Sequence, residues 1–237
     1  MLPHVVAGRE THTASRSRGA PGCGTILRVR ALLFDLDRTL VDVQSVTDYA
    51  AARRDAEAVA GDLVPPEVPG TDWTPDTVAS MALLVACAGH ARWAAVSAAI
   101  EEHERAAVAG STAMPGLAEA WRESDGVPRA VVTLLTEDVT RRVLARHGVA
   151  GADRVPVLGR EAGRRPKPAP DGLLAACARL GVRPEDAVMI GDSTWDLEAA
   201  RAAGTGFVGV PVTVGSMPPG TTLAADLLHA VRVALGD

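Results

Sequence analysis

The sequence predicts an α/β fold, a parallel sheet with helices on both faces, interrupted after its first strand by an inserted block of helices. Two patterns predict it. From Pro128 onward, short apolar and β-branched runs alternate with helical segments, which is typical of a sheet whose parallel strands are joined by helices. Between Leu40 and that point the chain is alanine-rich and largely helical in character. The composition, 47% hydrophobic and 22% charged, is that of an ordinary soluble globular protein.

The first strand is expected at Ala31 to Phe34, a run of four apolar residues. Residues 1–29 ahead of it have no clear periodicity and are rich in Gly, Ser, Thr and Arg, so we expect a disordered N-terminal extension. They lack the continuous apolar stretch of a secretory signal. The three cysteines are widely spaced and form no disulfide or zinc pattern, which favours a cytoplasmic protein.

Residues 43–114 are expected to form a helical cap inserted into a core made of residues 30–42 and 115–237. Asp48 to Ala60 has few helix breakers and predicts an exposed helix, whereas the proline-rich stretch after it must be a loop. Thr77 to Gly89 is uncharged but too short to span a bilayer, so we expect a buried helix there and no membrane partner. The helical pattern then continues to about residue 109.

The remaining core elements follow from the alternation of periods. The expected strands are short apolar runs, namely Ala130 to Leu134, Val155 to Leu158, Ala187 to Ile190 and Phe207 to Val210. The expected helices are Leu117 to Trp121, Val139 to His147, Leu173 to Leu180 with Asp171 as its N-cap, Trp195 to Ala203 and Leu223 to Leu235.

Polar side chains follow the predicted strands at the points where they end. Asp35 and Asp37 come directly after the first strand, and they would share a face if the extended geometry continued. Two close carboxylates repel each other, so they need a bound cation or a shared proton. An isolated pair of this kind is more often only a polar strand end. The residues at the other strand ends therefore decide whether this pair belongs to a functional site.

Those strand ends carry further groups that a parallel sheet would bring to the same edge, where ligands bind in such folds. Thr133 lies near the end of the second core strand, and Lys167 lies in a proline-rich loop. Asp192 and Asp196 follow the fourth strand. An acidic set of this kind suits Mg²⁺, and a lysine and a hydroxyl beside it suit phosphoryl oxygens.

These segments resemble the four motifs of the haloacid dehalogenase-like hydrolase superfamily, in the family's order and over about residues 30–213. The matching segments are Asp35-Leu-Asp37-Arg-Thr39, Thr133 after a hydrophobic strand, Lys167-Pro168-Ala-Pro170, and Gly191-Asp192 with Asp196. Thr133 precedes Gly148 by 15 residues, as in the phosphoglycolate phosphatase-like branch. The resemblance implies a Rossmann-like three-layer core with a parallel sheet, plus the helical cap.

The resemblance also implies an activity, a phosphatase that hydrolyses a small phosphorylated metabolite through an aspartyl-phosphate intermediate. Asp35 would be the nucleophile, and Asp37 would be the general acid and then the general base. Thr133 and Lys167 would hold the transferring phosphoryl group. Dehalogenases of the superfamily generally lack an aspartate at the second position, so Asp37 favours phosphoryl transfer.

The cofactor implied by the resemblance is Mg²⁺. It would be held by the Asp35 carboxylate, the backbone carbonyl of Asp37 and Asp192. Asp196 would be a ligand through water or a partner of Lys167. The net charge of −5 argues against nucleic acid as the main partner, and the sequence leaves monomer and homodimer both open.

Three alternatives stay open at this point. A sugar phosphomutase uses the same four motifs, and a binding or regulatory protein with weak or no catalysis would keep the fold. A phosphonate hydrolase would require a cap lysine, and residues 43–114 contain none. Two departures from the family pattern affect these readings. Arg38 replaces the usual glycine, and Leu134 stands where many relatives have Asn or Ser.

Other residues are weaker candidates. Arg160, Arg164 and Arg165 are expected in a solvated basic loop, with attraction of an anionic substrate as the lesser alternative. Trp195 is expected to pack in the interior. Substrate contacts in the cap are sought among residues that more often pack or face solvent, namely Tyr49, Arg53, Arg54, Trp73, His90, Arg92, Trp93, His103 and Arg105.

Overall fold

A computed structural model describes residues 29–236. The expected disorder of the N-terminal extension therefore lies outside the described residues, apart from Val29. The strands in chain order are β1 (Ala31–Phe34), β2 (Val41–Asp42), β3 (Thr112–Ala113), β4 (Arg129–Val132), β5 (Val157–Leu158), β6 (Ala187–Gly191) and β7 (Gly206–Gly209). The helices are α1 (Tyr49–Ala60), α2 (Pro75–Cys87), α3 (Trp93–Ala107), α4 (Leu117–Glu123), α5 (Glu137–Arg146), α6 (Asp171–Leu180), α7 (Thr194–Ala203) and α8 (Leu227–Leu235).

Five of the strands form one parallel sheet in the order β5-β4-β1-β6-β7. The central strand β1 is buried throughout, and its Leu33 lies opposite Ala130 on one side and Met189 on the other. Alternate residues of β1 enter separate apolar clusters, because successive side chains of a strand point to opposite faces. Leu32 packs in the first cluster and Leu33 in the second. The predicted parallel α/β fold is confirmed.

The helices α1, α2 and α3 pack on one another and form a third apolar cluster. The core contributes Leu134 and Trp195 to this cluster, so the inserted helices rest directly on the strand ends. The two chain segments that connect the insert to the core, β2 and β3, pair with each other as a short antiparallel ribbon. The predicted domain boundaries fall at the ends of this ribbon, and the division into a core and a cap stays a prediction.

Three local expectations were wrong. The helical pattern of the insert is interrupted between α2 and α3, where Gly89 has φ +77°. The last helix begins at Leu227, four residues later than expected, because the side chain of Asp226 caps it and Leu223 bridges to Gly209. Asp171 is the first helical residue of α6, and its carboxylate binds Arg165.

Among residues 29–236, none of the helices has both the length and the apolar character that crossing a bilayer requires.

Candidate active site

The turn after β1 sets the positions of its two carboxylates. The amide of Asp35 still donates to the carbonyl of Ile190 on the neighbouring strand, at 2.9 Å. The chain then leaves the extended conformation, since Arg38 has φ +59° and the carbonyl of Leu36 accepts from residues 40 and 41. The extended conformation therefore ends at Arg38, after both carboxylates. Asp35 and Asp37 line one cavity.

The Asp37 carboxylate is fixed by the backbone that leads into the insert. Its Oδ1 accepts hydrogen bonds from the amides of Val43 and Gln44, at 2.8 and 2.9 Å. Burial nevertheless raises the pKa of Asp37 to about 7, because these two hydrogen bonds offset only part of the desolvation. The group is therefore able to hold or release a proton near neutral pH.

Lys167 lies between two carboxylates in the interior. Its Nζ donates to Oδ1 of Asp35 and to Oδ1 of Asp196, both at 2.6 Å, and to the carbonyl of Val132 at 3.1 Å. Burial alone would lower the pKa of the lysine, but the two carboxylates outweigh it and the pKa is raised. The ammonium group is thus charged and held by three oxygens.

The second oxygen of Asp196 is also engaged. It accepts from the amide of Ser193 at 3.2 Å and from its hydroxyl at 2.6 Å, in a capping box at the start of α7. Asp196 therefore hydrogen-bonds to Lys167 through one oxygen and to Ser193 through the other. Ser193 is the N-cap of α7.

Asp192, directly after β6, brings a further carboxylate to this edge of the sheet. One oxygen from each of Asp35, Asp192 and Asp196 lies within 4.8 Å of the other two. Among the described residues, Oδ2 of Asp192 is buried without a hydrogen-bond partner. Burial, together with repulsion from Asp196 and Asp35, raises the pKa of Asp192 well above its usual value. Arg38 opposes this shift without cancelling it, and oxygen ligands that keep an excess of negative charge fit a hard divalent cation.

The pKa of Asp35 is also raised, to about 7. Burial is the largest cause, and the nearby ammonium of Lys167 opposes it without cancelling it. Lys167 therefore does not fully compensate the charge of Asp35. This imbalance is a second reason why the donor set suits an added cation.

The hydroxyl of Thr133 completes the predicted set. It follows β4, is buried, and accepts a hydrogen bond from the amide of Leu135 at 3.2 Å. A cavity of about 20 Å³ is lined by Asp35, Asp37, Thr133 and Lys167 on the core side. That volume holds about one water molecule, so an ester enters only when parts of the lining move apart.

Arg160 contradicts the expectation of a solvated basic loop. Its guanidinium is buried and donates to Oε1 of Glu104 on α3 at 2.8 Å, with no exposed surface on either side chain. It also donates to Oγ of Ser97 at 3.0 Å and to the carbonyl of Leu134 at 2.9 Å. The residue therefore joins the insert to the backbone beside Thr133. Arg165, in contrast, is exposed and pairs with an aspartate.

Arg38, which the sequence left unexplained, also joins the core to the insert. It donates to both carboxylate oxygens of Asp72, at 3.1 and 2.8 Å, and its Nε lies 3.6 Å from Oδ2 of Asp192. Asp72, Ser97 and Glu104 carry no signal of these contacts in the sequence. No short-range spacing marks them, because their partners are distant in the chain.

The nine cap candidates separate into groups in the structure. Tyr49 and Trp73 line the cavity. Trp93 is buried, and four of the remaining residues bind carboxylates, namely Arg53, Arg92, His103 and Arg105. Trp195 is buried as expected, stacks at a tilt on Trp73 with ring centroids 5.2 Å apart, and donates to the carbonyl of Pro69.

Comparison with known proteins agrees with this geometry. Residues 29–204 match the family model of the haloacid dehalogenase-like hydrolases. Hexitol phosphatase A of Escherichia coli is 31% identical over 190 residues, which cover 78% of this chain and 84% of the relative. A phosphoglycolate phosphatase of Pseudomonas putida is 30% identical over 194 residues, 76% of this chain and 69% of the relative.

The fold has solved counterparts as well. The structure of CbbY from Rhodobacter sphaeroides in complex with phosphate superposes with a TM-score of 0.63 at 24% identity, covering 88% of this chain and all of that chain. The fold and the acidic edge of the sheet define a hydrolase of the haloacid dehalogenase-like type. The chain belongs to this family, within its phosphoglycolate phosphatase-like branch, and the resemblance found in the sequence is confirmed.

Proposed function

We propose that this protein is a Mg²⁺-dependent phosphatase that hydrolyses a small phosphorylated metabolite through an aspartyl-phosphate at Asp35. The observation that carries the proposal is the contact of 2.6 Å between Oδ1 of Asp35 and Nζ of Lys167. A carboxylate at the end of a central strand is thus held beside a buried cation, with Asp37 and Thr133 lining the same cavity. The phosphatases among its relatives support this reaction class.

The first chemical step forms a bond between an Asp35 oxygen and phosphorus while the ester P–O bond breaks. The leaving alkoxide takes its proton from Asp37, and the pKa of about 7 suits this donor role. In the second step Asp37 removes a proton from water, which attacks phosphorus. Inorganic phosphate leaves and the Asp35 carboxylate is regenerated.

The other two core residues hold the phosphoryl group. Lys167 is charged and fixed by three oxygens, so it offsets the repulsion between Asp35 and an approaching phosphate. Thr133 supplies a hydroxyl at the same cavity wall. Asp196 has both oxygens engaged and acts by orienting Lys167.

The cation would be held by the carboxylates of Asp35 and Asp192 and by the backbone carbonyl of Asp37. The Asp192 oxygen that accepts no hydrogen bond and the raised pKa values of Asp35 and Asp192 support this ligand set. When bound, Mg²⁺ would stabilise negative charge on the phosphoryl oxygens and lower the pKa of the carboxylates beside it.

We also propose that residues 43–114 act as the cap of this site. Their helices supply Tyr49, Thr77 and Met81 to the cavity wall, and the loop before α2 supplies Trp73. Closing these groups over the strand ends excludes water from the aspartyl-phosphate until hydrolysis.

Release of inorganic phosphate from p-nitrophenyl phosphate tests the proposal, with Mg²⁺ and with EDTA. We expect turnover that EDTA abolishes, and a loss of about 10³-fold or more in Asp35→Asn. Metal-independent turnover, or full activity in the variant, contradicts the mechanism. A sugar phosphomutase would isomerise a sugar phosphate with little phosphate release, and a regulatory protein would release none.

A further inference from the structure

The uncharged part of the active-site cavity lining indicates which alcohol leaves. Six of its residues, which we call the leaving-group wall, are Gln44, Tyr49, Trp73, Thr77, Met81 and Leu134. Their side chains offer an amide, two hydroxyls, an indole and two apolar groups, and none of them carries a charge. Among the described residues that line the cavity, the charged ones are Asp35, Asp37 and Lys167, all on the phosphoryl side.

The cations of the insert are engaged elsewhere. Residues 43–114 contain four arginines and no lysine. Arg53 pairs with Glu57 and Asp76, Arg92 with Asp62, and Arg105 with Glu101 and Asp138. The fourth, Arg54, is exposed and does not line the cavity. A second anionic group on the substrate would therefore meet no arginine of the insert at the cavity wall.

Arg164, in the loop before Lys167, pairs with Glu161 and does not line the cavity. Two further core arginines near the site pair with carboxylates. Arg38 faces Asp72 and Asp192, and Arg160 is buried against Glu104. Neither of them lines the cavity. Redirecting either one to a substrate would leave a buried carboxylate without its partner, which is costly.

The insert as a whole is negatively charged, which also disfavours anionic substrates. Residues 43–114 contain four arginines and ten carboxylates. Their net charge is therefore −6, compared with −5 for the entire chain. A substrate with a carboxylate or second phosphate beyond the reacting phosphoryl group would meet this negative field at close range.

The polar groups of the wall suit hydroxyls. Nε1 of Trp73 is buried and has no hydrogen-bond partner among the described residues, so it is a donor available to a ligand oxygen. The hydroxyl of Tyr49 makes only a long contact with Glu104, at 3.4 Å. The rings of Tyr49 and Trp73 also offer apolar surface to the carbon chain of a polyol or sugar.

Resting on the proposed phosphatase function, we propose that the substrate is a monophosphate ester of an uncharged polyhydroxy alcohol or sugar. Esters that carry a carboxylate or a second phosphate are discriminated against. The discrimination arises in the leaving-group wall formed by Gln44, Tyr49, Trp73, Thr77, Met81 and Leu134, which lacks a cation.

Matched pairs of esters test this with the full chain and Mg²⁺. D-Sorbitol 6-phosphate and 6-phosphogluconate differ at the far end of one carbon chain, and fructose 6-phosphate and fructose 1,6-bisphosphate differ by one phosphate. We expect kcat/KM to be at least about tenfold higher for the uncharged member of each pair. Equal values, or a preference for the anionic members, overturn the proposal.

A charge-insertion variant tests the cause. Gln44→Arg places a cation at the cavity wall, and we expect it to lower the sorbitol 6-phosphate to 6-phosphogluconate ratio severalfold. Ser45→Arg adds the same charge at an exposed position outside the wall and should leave the ratio unchanged. Equal effects of both variants would show that the wall does not set the preference.

Turnover of p-nitrophenyl phosphate separates the two proposals. If that ester is hydrolysed but the matched pairs show no preference, the substrate class is wrong and the phosphatase function stands. If none of the esters is hydrolysed, the phosphatase function fails and the substrate class fails with it.

Discussion

Arg160 and Glu104 form an ion pair, 2.8 Å long, in which neither side chain has exposed surface. It joins the loop after β5 to helix α3 of the insert, and its Arg160 also binds the carbonyl next to Thr133. Removing one member of a buried pair leaves the other charge without compensation. The pair therefore connects cap stability to the active site.

Glu104→Ala should lower the free energy of unfolding by about 3–5 kcal/mol, because the Arg160 guanidinium stays buried without its carboxylate. Urea denaturation measures this loss, and adding Arg160→Met should recover part of it. The exposed pair of Arg183 and Glu185 is the control, since its removal should leave stability nearly unchanged. A Glu104 variant that behaves like this control would contradict the argument.

The pH dependence of stability gives a second prediction for Glu104. Burial raises its pKa above the usual value, although Arg160 opposes the shift. A carboxyl with a raised pKa in the folded state favours folding fully below its unfolded pKa and loses that contribution as pH rises through the folded pKa. The stability of the wild type relative to Glu104→Gln should therefore fall from pH 4 to pH 8. A difference that rises over this range would exclude a raised pKa.

The sequence predicted the strand ends and their acids because these depend on short-range patterns. β1 is an apolar run followed directly by Asp35, and parallel topology brings strand ends together regardless of detail. The connections between insert and core were not predictable in the same way. Arg160 and Glu104 lie 56 residues apart, and Arg38 and Asp72 lie 34 apart. Local periodicity does not predict pairs that lie so far apart in the chain.

Arg38 has an unfavourable backbone conformation, but its side chain makes stabilising hydrogen bonds. Its φ of +59° costs a non-glycine residue about 1–2 kcal/mol, whereas its guanidinium binds Asp72 with two hydrogen bonds. Both Arg38→Gly and Arg38→Ala lose the pair, but only the glycine removes the strain. We expect Arg38→Gly to be more stable than Arg38→Ala by about 1 kcal/mol in urea denaturation. Equal stabilities would show that the backbone there is unstrained.

Replacing Asp192 by asparagine should raise the stability of the metal-free protein and lower its activity. Burial and two neighbouring carboxylates make its charge unfavourable when no cation is bound. In EDTA, Asp192→Asn should therefore raise Tm, while hydrolysis of p-nitrophenyl phosphate with Mg²⁺ falls by about 10²-fold or more. Mg²⁺ should raise Tm of the wild type but not of the variant. Equal stabilisation of both proteins by Mg²⁺ would remove Asp192 from the ligand set.

Lys167 is the only lysine in the chain, so acylation of a lysine side chain reports directly on the active site. Its side chain is 4% exposed and held by Asp35 and Asp196, which raise its pKa and keep the amine protonated. An N-hydroxysuccinimide ester at pH 8 should therefore leave Lys167 unmodified in the folded protein and modify it in urea, as read by mass spectrometry of its peptide. Asp196→Asn removes one partner and should speed acylation, whereas Asp186→Asn, at an ion pair that does not involve Lys167, should not. Rapid acylation of the folded wild type would contradict the buried contact on which the mechanism rests.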